Sequence, residues 1–163
     1  MDQIEAWHEF NVAMTGATAA LAGLAIVAAS VNIGEIVKEK SLTSRLAAGI
    51  AGLVLAILGS AVGLIPEISP LAYGVTMIVL SLADSVFPVD AARRIYQNRH
   101  PENRARAVKA AVNFAAPAAY LVGGVLLVAG MTGAGLVAFA IASVAAIVMA
   151  IVVSWVVLVE VLR

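Results

Sequence analysis

The chain has 163 residues, 63% of them hydrophobic and only 12% charged, and its mean hydropathy is +1.03. A soluble domain is roughly 45–50% apolar and about 25% charged, and a single core cannot hide such an excess of apolar surface, so part of it must face lipid. Ten basic residues balance ten acidic ones and cysteine is absent; this gives no reason to expect nucleic acid as a partner and excludes disulfides, thiolate metal sites and a cysteine nucleophile.

The opening MDQIEAWHEF has three acids and no Lys or Arg. That is the opposite of a secretory leader, so the first apolar stretch is expected to remain as an anchor. Four stretches carry no charged side chain: Phe10 to Gly34, Leu46 to Pro66, Ala110 to Gly130 and Met131 to Val159. Each reaches the ~20 residues that cross ~30 Å of hydrocarbon.

The first span is expected over about 10–33 and is followed by a charged turn in which SLTSR offers capping residues for the next helix. A second span over about 46–65 ends at Pro66-Glu67-Ile68-Ser69-Pro70, where two prolines and a cap-like serine force a reversal. A third, over about 70–88, meets Asp84, Ser85 and Pro88. Beyond it lies a basic loop over about 89–106; its first part reads as a polar helical extension if the helix continues past a kink at Pro88, with Asp90 and Arg94 at i,i+4 spacing. The fourth span, about 107–130, contains Asn113 and Pro117 one turn apart, and Gly130-Met131-Thr132-Gly133 leaves room only for a tight turn before a fifth span over about 132–159.

Short loops rich in Lys and Arg stay in the cytoplasm. Lys38, Lys40 and Arg45 follow span one, six basic residues from Arg93 to Lys109 follow span three, and the chain ends at Arg163. The expectation is therefore an all-α, single-domain membrane bundle of five transmembrane helices, with the N-terminus outside and the C-terminus cytoplasmic. The run RRIYQNRHPENRARAVK is read as an orientation signal that touches anionic headgroups.

In lipid, helices associate through small residues that let backbones approach. Span one has such a stripe in Asn11, Thr15, Thr18, Ala22, Ala25, Ala29 and Asn32, a candidate for intramolecular packing, a subunit interface or a pore lining. Span two repeats the device with Gly49, Gly52, Ala56, Gly59 and Gly63, and span five with Ala138, Ala142, Ala146 and Ala150. Asp84 is the one acid expected within a span, either paired near the basic belt or serving as a cation or proton site. Trp7, Tyr73, Tyr96 and Trp155 are expected as interfacial anchors.

Catalytic machinery is not expected. His8 and His100 lie away from any buried serine, position 12 lacks the second histidine of a zinc motif, and there is no phosphate-binding glycine loop. No cofactor is anticipated.

The segments AWHEFNVAMTGATAALAGLAIVAASVNI, RLAAGIAGLVLAILGSAVGLIPE and SWVVLVEVLR resemble a family of small bacterial membrane proteins labelled "modulator of FtsH protease". That resemblance covers nearly the whole chain and implies a bacterial inner membrane and contact with a membrane-bound AAA protease. A shorter one is carried by TAALAGLAIVAAS, which is similar at Gly23 and Val27 to the pore-lining first helix of Orai calcium channels. Val31 stands where that family has its selectivity glutamate, and the orientation is opposite, so calcium selectivity does not follow. Three functions are thus expected in order: a homo-oligomeric scaffold or modulator of a membrane partner, a multi-subunit channel lined by span one, and a proton- or cation-coupled carrier using Asp84.

Overall fold

The computed structural model describes residues 3–38, 40–97 and 110–161, with side chains at all of these but 35 and 156–161. Residues 98–106 of the expected basic loop, the first residues of the expected fourth span and the C-terminal Arg163 lie outside the described residues. Among the described residues every regular element is a helix and there is no strand. A turn of 3-10 helix at Glu5–Trp7 leads into α1 (His8–Val31), the single-turn α2 (Ile33–Ile36), α3 (Lys40–Val62), α4 (Pro70–Asp84), α5 (Val86–Gln97), α6 (Ala115–Val128) and α7 (Thr132–Val161).

Four helical segments are long and apolar enough to cross a membrane: Glu5–Val31, Lys40–Val62, Pro70–Gln97 and Thr132–Trp155. Their outward side chains are those of a membrane protein. Leu24, Val27, Ile141 and Trp155 are each more than 60% exposed, and hydrocarbon is the solvent that accepts such a surface. The fifth apolar helix, α6, has 14 residues and is about 21 Å long at 1.5 Å per residue. Of its expected span, 107–109 lies outside the described residues, 110–112 is helical, and the helix breaks at Asn113 and Phe114. Pro117 lacks an N–H for the Asn113 carbonyl, which explains a break one turn before it.

Local chemistry sets the other boundaries. Ser69 caps α4 by accepting from the Ala72 N–H at 3.2 Å, with Pro70 in the first helical position. At the end of α6, Met131 N–H bonds the Leu126 carbonyl, Gly130 N–H bonds that of Leu127, and Gly130 takes φ +81°; this is a Schellman cap, which favours glycine. The Pro66 turn puts Glu67 at φ +56°.

The helix expected from about residue 46 starts at Lys40, so the SLTSR hydroxyls lie inside α3 instead of capping it. Tertiary bonds make that polar turn helical. Thr43 Oγ1 donates to the Ile36 carbonyl at 3.0 Å, and Ser44 Oγ donates to the Lys40 carbonyl at 3.1 Å or to Asp90 Oδ2 at 2.9 Å. Asp90 also receives Arg94 Nε at 2.7 Å, the i,i+4 pair that carries the helix past Pro88. Residues 89–97, within the expected basic loop, are therefore helical and fastened to α3.

α3 packs against α1, α4, α5 and α7, while α6 sits between α4 and α7. α6 is seated by glycine pairs on two sides. A Cβ on Gly124 would lie 2.8 Å from the Gly74 carbonyl oxygen of α4, and one on Gly123 would lie 3.0 Å from the Gly135 carbonyl oxygen of α7. No side chain fits between such backbones. The N-terminal turn closes over the same end: Ile4 packs in one cluster with Tyr73, Leu136 and Phe139. The Pro66 and Gly130 turns thus share one end of the bundle with the N-terminus, and Lys40, Asp90 and Arg94 mark the other.

Gly124→Ala is expected to lower stability in detergent by about 1–3 kcal/mol, because its new methyl meets a backbone oxygen that cannot rotate away. Gly16→Ala, where nothing lies within 4 Å of an added Cβ, should leave thermal unfolding unchanged. Equal midpoints for the two variants would contradict this packing.

Candidate functional site

Two faces of α1 compete for a functional role, and the structure separates them. On the inner face, Asn11, Thr18, Ala22 and Ala25 are buried and Thr15, Ala29 and Asn32 are half-buried. This face packs chiefly on α3 and secondarily on α7. At mid-helix, Ala22 shares one buried cluster with Leu53 of α3 and Ala150 of α7, which brings residues of the α1 and α7 stripes together against α3.

Most of the polar side chains in the α1 stripe spend their hydrogens within their own helix. Thr15 Oγ1 donates to the Asn11 carbonyl at 2.8 Å, Thr18 Oγ1 to that of Met14 at 2.5 Å, and Asn32 Nδ2 to that of Ala28 at 3.0 Å. A hydroxyl bonded one turn back is a satisfied group, stable at membrane depth without a partner. Asn11 is the exception: among the described residues its Nδ2 is the buried side-chain atom with no hydrogen-bond partner.

Asn11 sits in a polar junction beneath Trp7 and Phe10. Tyr73 Oη donates to the Gly59 carbonyl at 2.8 Å, and Tyr120 Oη lies 2.6 Å from Ser143 Oγ. Ser143 Oγ also donates to the Phe139 carbonyl at 3.0 Å; having spent its single hydrogen there, it accepts from Tyr120. The Tyr73 and Tyr120 rings flank Phe139, with centroids 4.9 and 5.6 Å away. A residual cavity of about 10 Å³ lies among Asn11, Ser60, Tyr73 and Ser143, at the lower limit of what one water fills. This is a fastening that ties α3, α4, α6 and α7 together, with Asn11 of α1 packed against it and no room for a substrate.

Tyr73 is therefore a core residue at 1% exposure and not the interfacial anchor expected from its position. Trp155 and Tyr96 are exposed at the other end, and Trp7 stacks edge-on against Phe10 at 5.5 Å.

The remaining seams follow the same division. Gly59 and Gly63 make close contacts: an added Cβ would meet the Tyr120 ring at 2.9 Å and Asn11 Nδ2 at 2.5 Å respectively. Ala56, Ala142, Ala146 and Ala150 are buried and Ala138 is half-buried. Gly49 abuts Val153 at ordinary distance, and Gly52 is buried with free space about it. Residue patterns alone did not single out Gly74, Gly123, Gly124 or Gly135, because each matters only through its opposite number on another helix. Asp84 ends α4, half-buried; among the described residues no hydrogen bond or ion pair reaches it. Among the described residues, too, no three His, Asp or Glu side chains converge to hold a metal ion.

The outer face of α1 is bare. Only 17% of its membrane-length window is buried. Gly16 and Gly23 have nothing within 4 Å of an added Cβ, and Ala20, between them, and Val27, one turn on, are exposed. Spaced by one or two turns, these residues form a shallow groove to which another helix backbone can come close.

A double-mutant cycle tests the inward placement of Asn11. Gly63→Ala should destabilise the protein because its methyl overlaps the amide, and Asn11→Ala should relieve part of that loss, giving a coupling of about 1 kcal/mol or more in thermal or denaturant unfolding. Additive effects would mean that Asn11 does not face Gly63. Comparison with known proteins finds no matching family model, no matching curated protein and no matching solved structure.

Proposed function

We propose that the protein is a non-enzymatic, homo-oligomeric membrane scaffold that works through helix contacts, with the outer face of α1 as its association surface and a membrane partner such as a protease as its target. The observation that carries this is the bare groove of Gly16, Ala20, Gly23 and Val27 on a helix otherwise built to pack. In hydrocarbon a large lipid-facing side chain costs nothing, so glycine on that face gains its advantage when a second helix arrives. Closed symmetric assembly of like chains is the commonest outcome for such a surface. The protease as partner, and a bacterial inner membrane as the setting, rest on the sequence resemblance.

The topology we propose with it is five crossings, N-terminus outside. Its support is the sorting of charge between the two ends: Lys40, Arg93 and Arg94 gather at one end of α3 and α5, while the Glu67 turn and the Gly130 turn lie at the other. Basic residues held to one side match the cytoplasmic rule.

Förster transfer between labelled copies, measured as the protein is diluted in liposomes, tests the scaffold. The wild type should self-associate, and Gly16→Leu with Gly23→Leu should weaken association at least about tenfold while leaving thermal unfolding intact. A wild-type protein that stays monomeric at all dilutions defeats the proposal. Ion flux through liposomes carrying the wild-type protein would favour the channel instead.

A further inference from the structure

We infer that the cleft between α3 and α5 is a binding site for one anionic phospholipid, its phosphate held by Lys40 and Arg93. The cleft measures about 1110 Å³, above the ~300–1,000 Å³ usual for small-molecule sites. Its chemistry is divided. Val37, Ala47, Leu82, Val86 and Phe87 supply an apolar wall, and Lys40, Thr43, Arg93 and Arg94 supply a polar one.

Charge decides the class of ligand. The lining holds Lys40, Arg93 and Arg94 against the single acid Asp90. Asp90 is engaged by Arg94 Nε at 2.7 Å and by Ser44 Oγ at 2.9 Å, so the cleft keeps an excess of two positive charges. Lys40 and Arg93 are exposed and free to turn toward an anion. The Ser44–Asp90–Arg94 chain meanwhile fixes the spacing of the two helices, so the opening between them is part of the fold.

Position decides that the anion is a lipid. Lys40 opens α3, and Val86 and Phe87 stand just below the Ser85 break, respectively 66% and 46% exposed. A headgroup at the level of Lys40 and Arg93 can therefore continue into acyl chain along Phe87 and Leu82. Basic pockets between membrane helices at the headgroup level bind anionic lipids in this way. A free phosphate ion would leave the apolar wall uncovered.

The test is thermal unfolding of the full-length protein in zwitterionic detergent with added phosphatidylglycerol, phosphatidylcholine or inorganic phosphate, together with native mass spectrometry of retained lipid. Phosphatidylglycerol should raise the midpoint by several degrees and remain bound at one per protomer, and the other two should not. Lys40→Gln with Arg93→Gln should weaken its binding about 10- to 30-fold. The charge-matched control Lys38→Gln with Arg45→Gln, outside the cleft lining, should preserve it. Should the first pair fail to fold, Ala47→Phe, which fills the cleft and leaves every charge in place, should weaken binding instead. An equal shift from inorganic phosphate, equal loss in the control pair, or undiminished binding in Lys40→Gln/Arg93→Gln or in Ala47→Phe overturns the assignment.

Discussion

Close approach of backbones is the constraint on which this molecule depends. In water, apolar side chains are driven together; in hydrocarbon they gain almost nothing by leaving lipid for one another, and cohesion falls to dispersion at short range and to hydrogen bonds between helices. The pairs Gly74–Gly124 and Gly123–Gly135 bring α6 against α4 and α7 at distances no side chain permits. Adjacent residues on a helix point about 100° apart, so two successive glycines serve two different neighbours. Around that wedge the alanines of α7 and the glycines of α3 let the remaining helices close in.

Polar groups in such an interior must be satisfied within the protein, since lipid offers no partner. The solution here has two levels. Thr15, Thr18, Ser81 and Ser85 donate to carbonyls one turn back in their own helices, which neutralises them where they stand. The tyrosines reach across: Tyr73 to the backbone of α3 and Tyr120 to Ser143 of α7. Cross-helix bonds of this kind specify which helices meet and at what height, a task that glycine seams alone leave loosely defined.

Much of this was legible in the residue pattern, for physical reasons that differ by element. Charge-free runs mark apolar helices because ionised groups are expensive in lipid. Ser69-Pro70 and Gly130 mark ends because their backbone chemistry is local, and Asp90 with Arg94 announces a helix beyond Pro88 for the same reason. What stayed hidden depends on partners distant in sequence. α3 begins at Lys40 because Thr43 and Ser44 find acceptors on α2 and α5. Tyr73 is core because its height matches Gly59. The four glycines around α6 count only as pairs, and pairing needs the register of three helices. The stripe on α1 was visible, whereas its partners, α3 and α7, were not.

The contact between the first turn and the last hairpin has a consequence for biogenesis. Ile4 shares one buried cluster with Tyr73 of α4 and with Leu136 and Phe139 of α7, so the opening residues complete their native contacts only once α7 has been synthesised and inserted. The start of the chain waits while everything between is laid down, then seals the structure like the flap of an envelope. A truncated product lacking α7 would leave that flap open, with Ile4 deprived of Leu136 and Phe139.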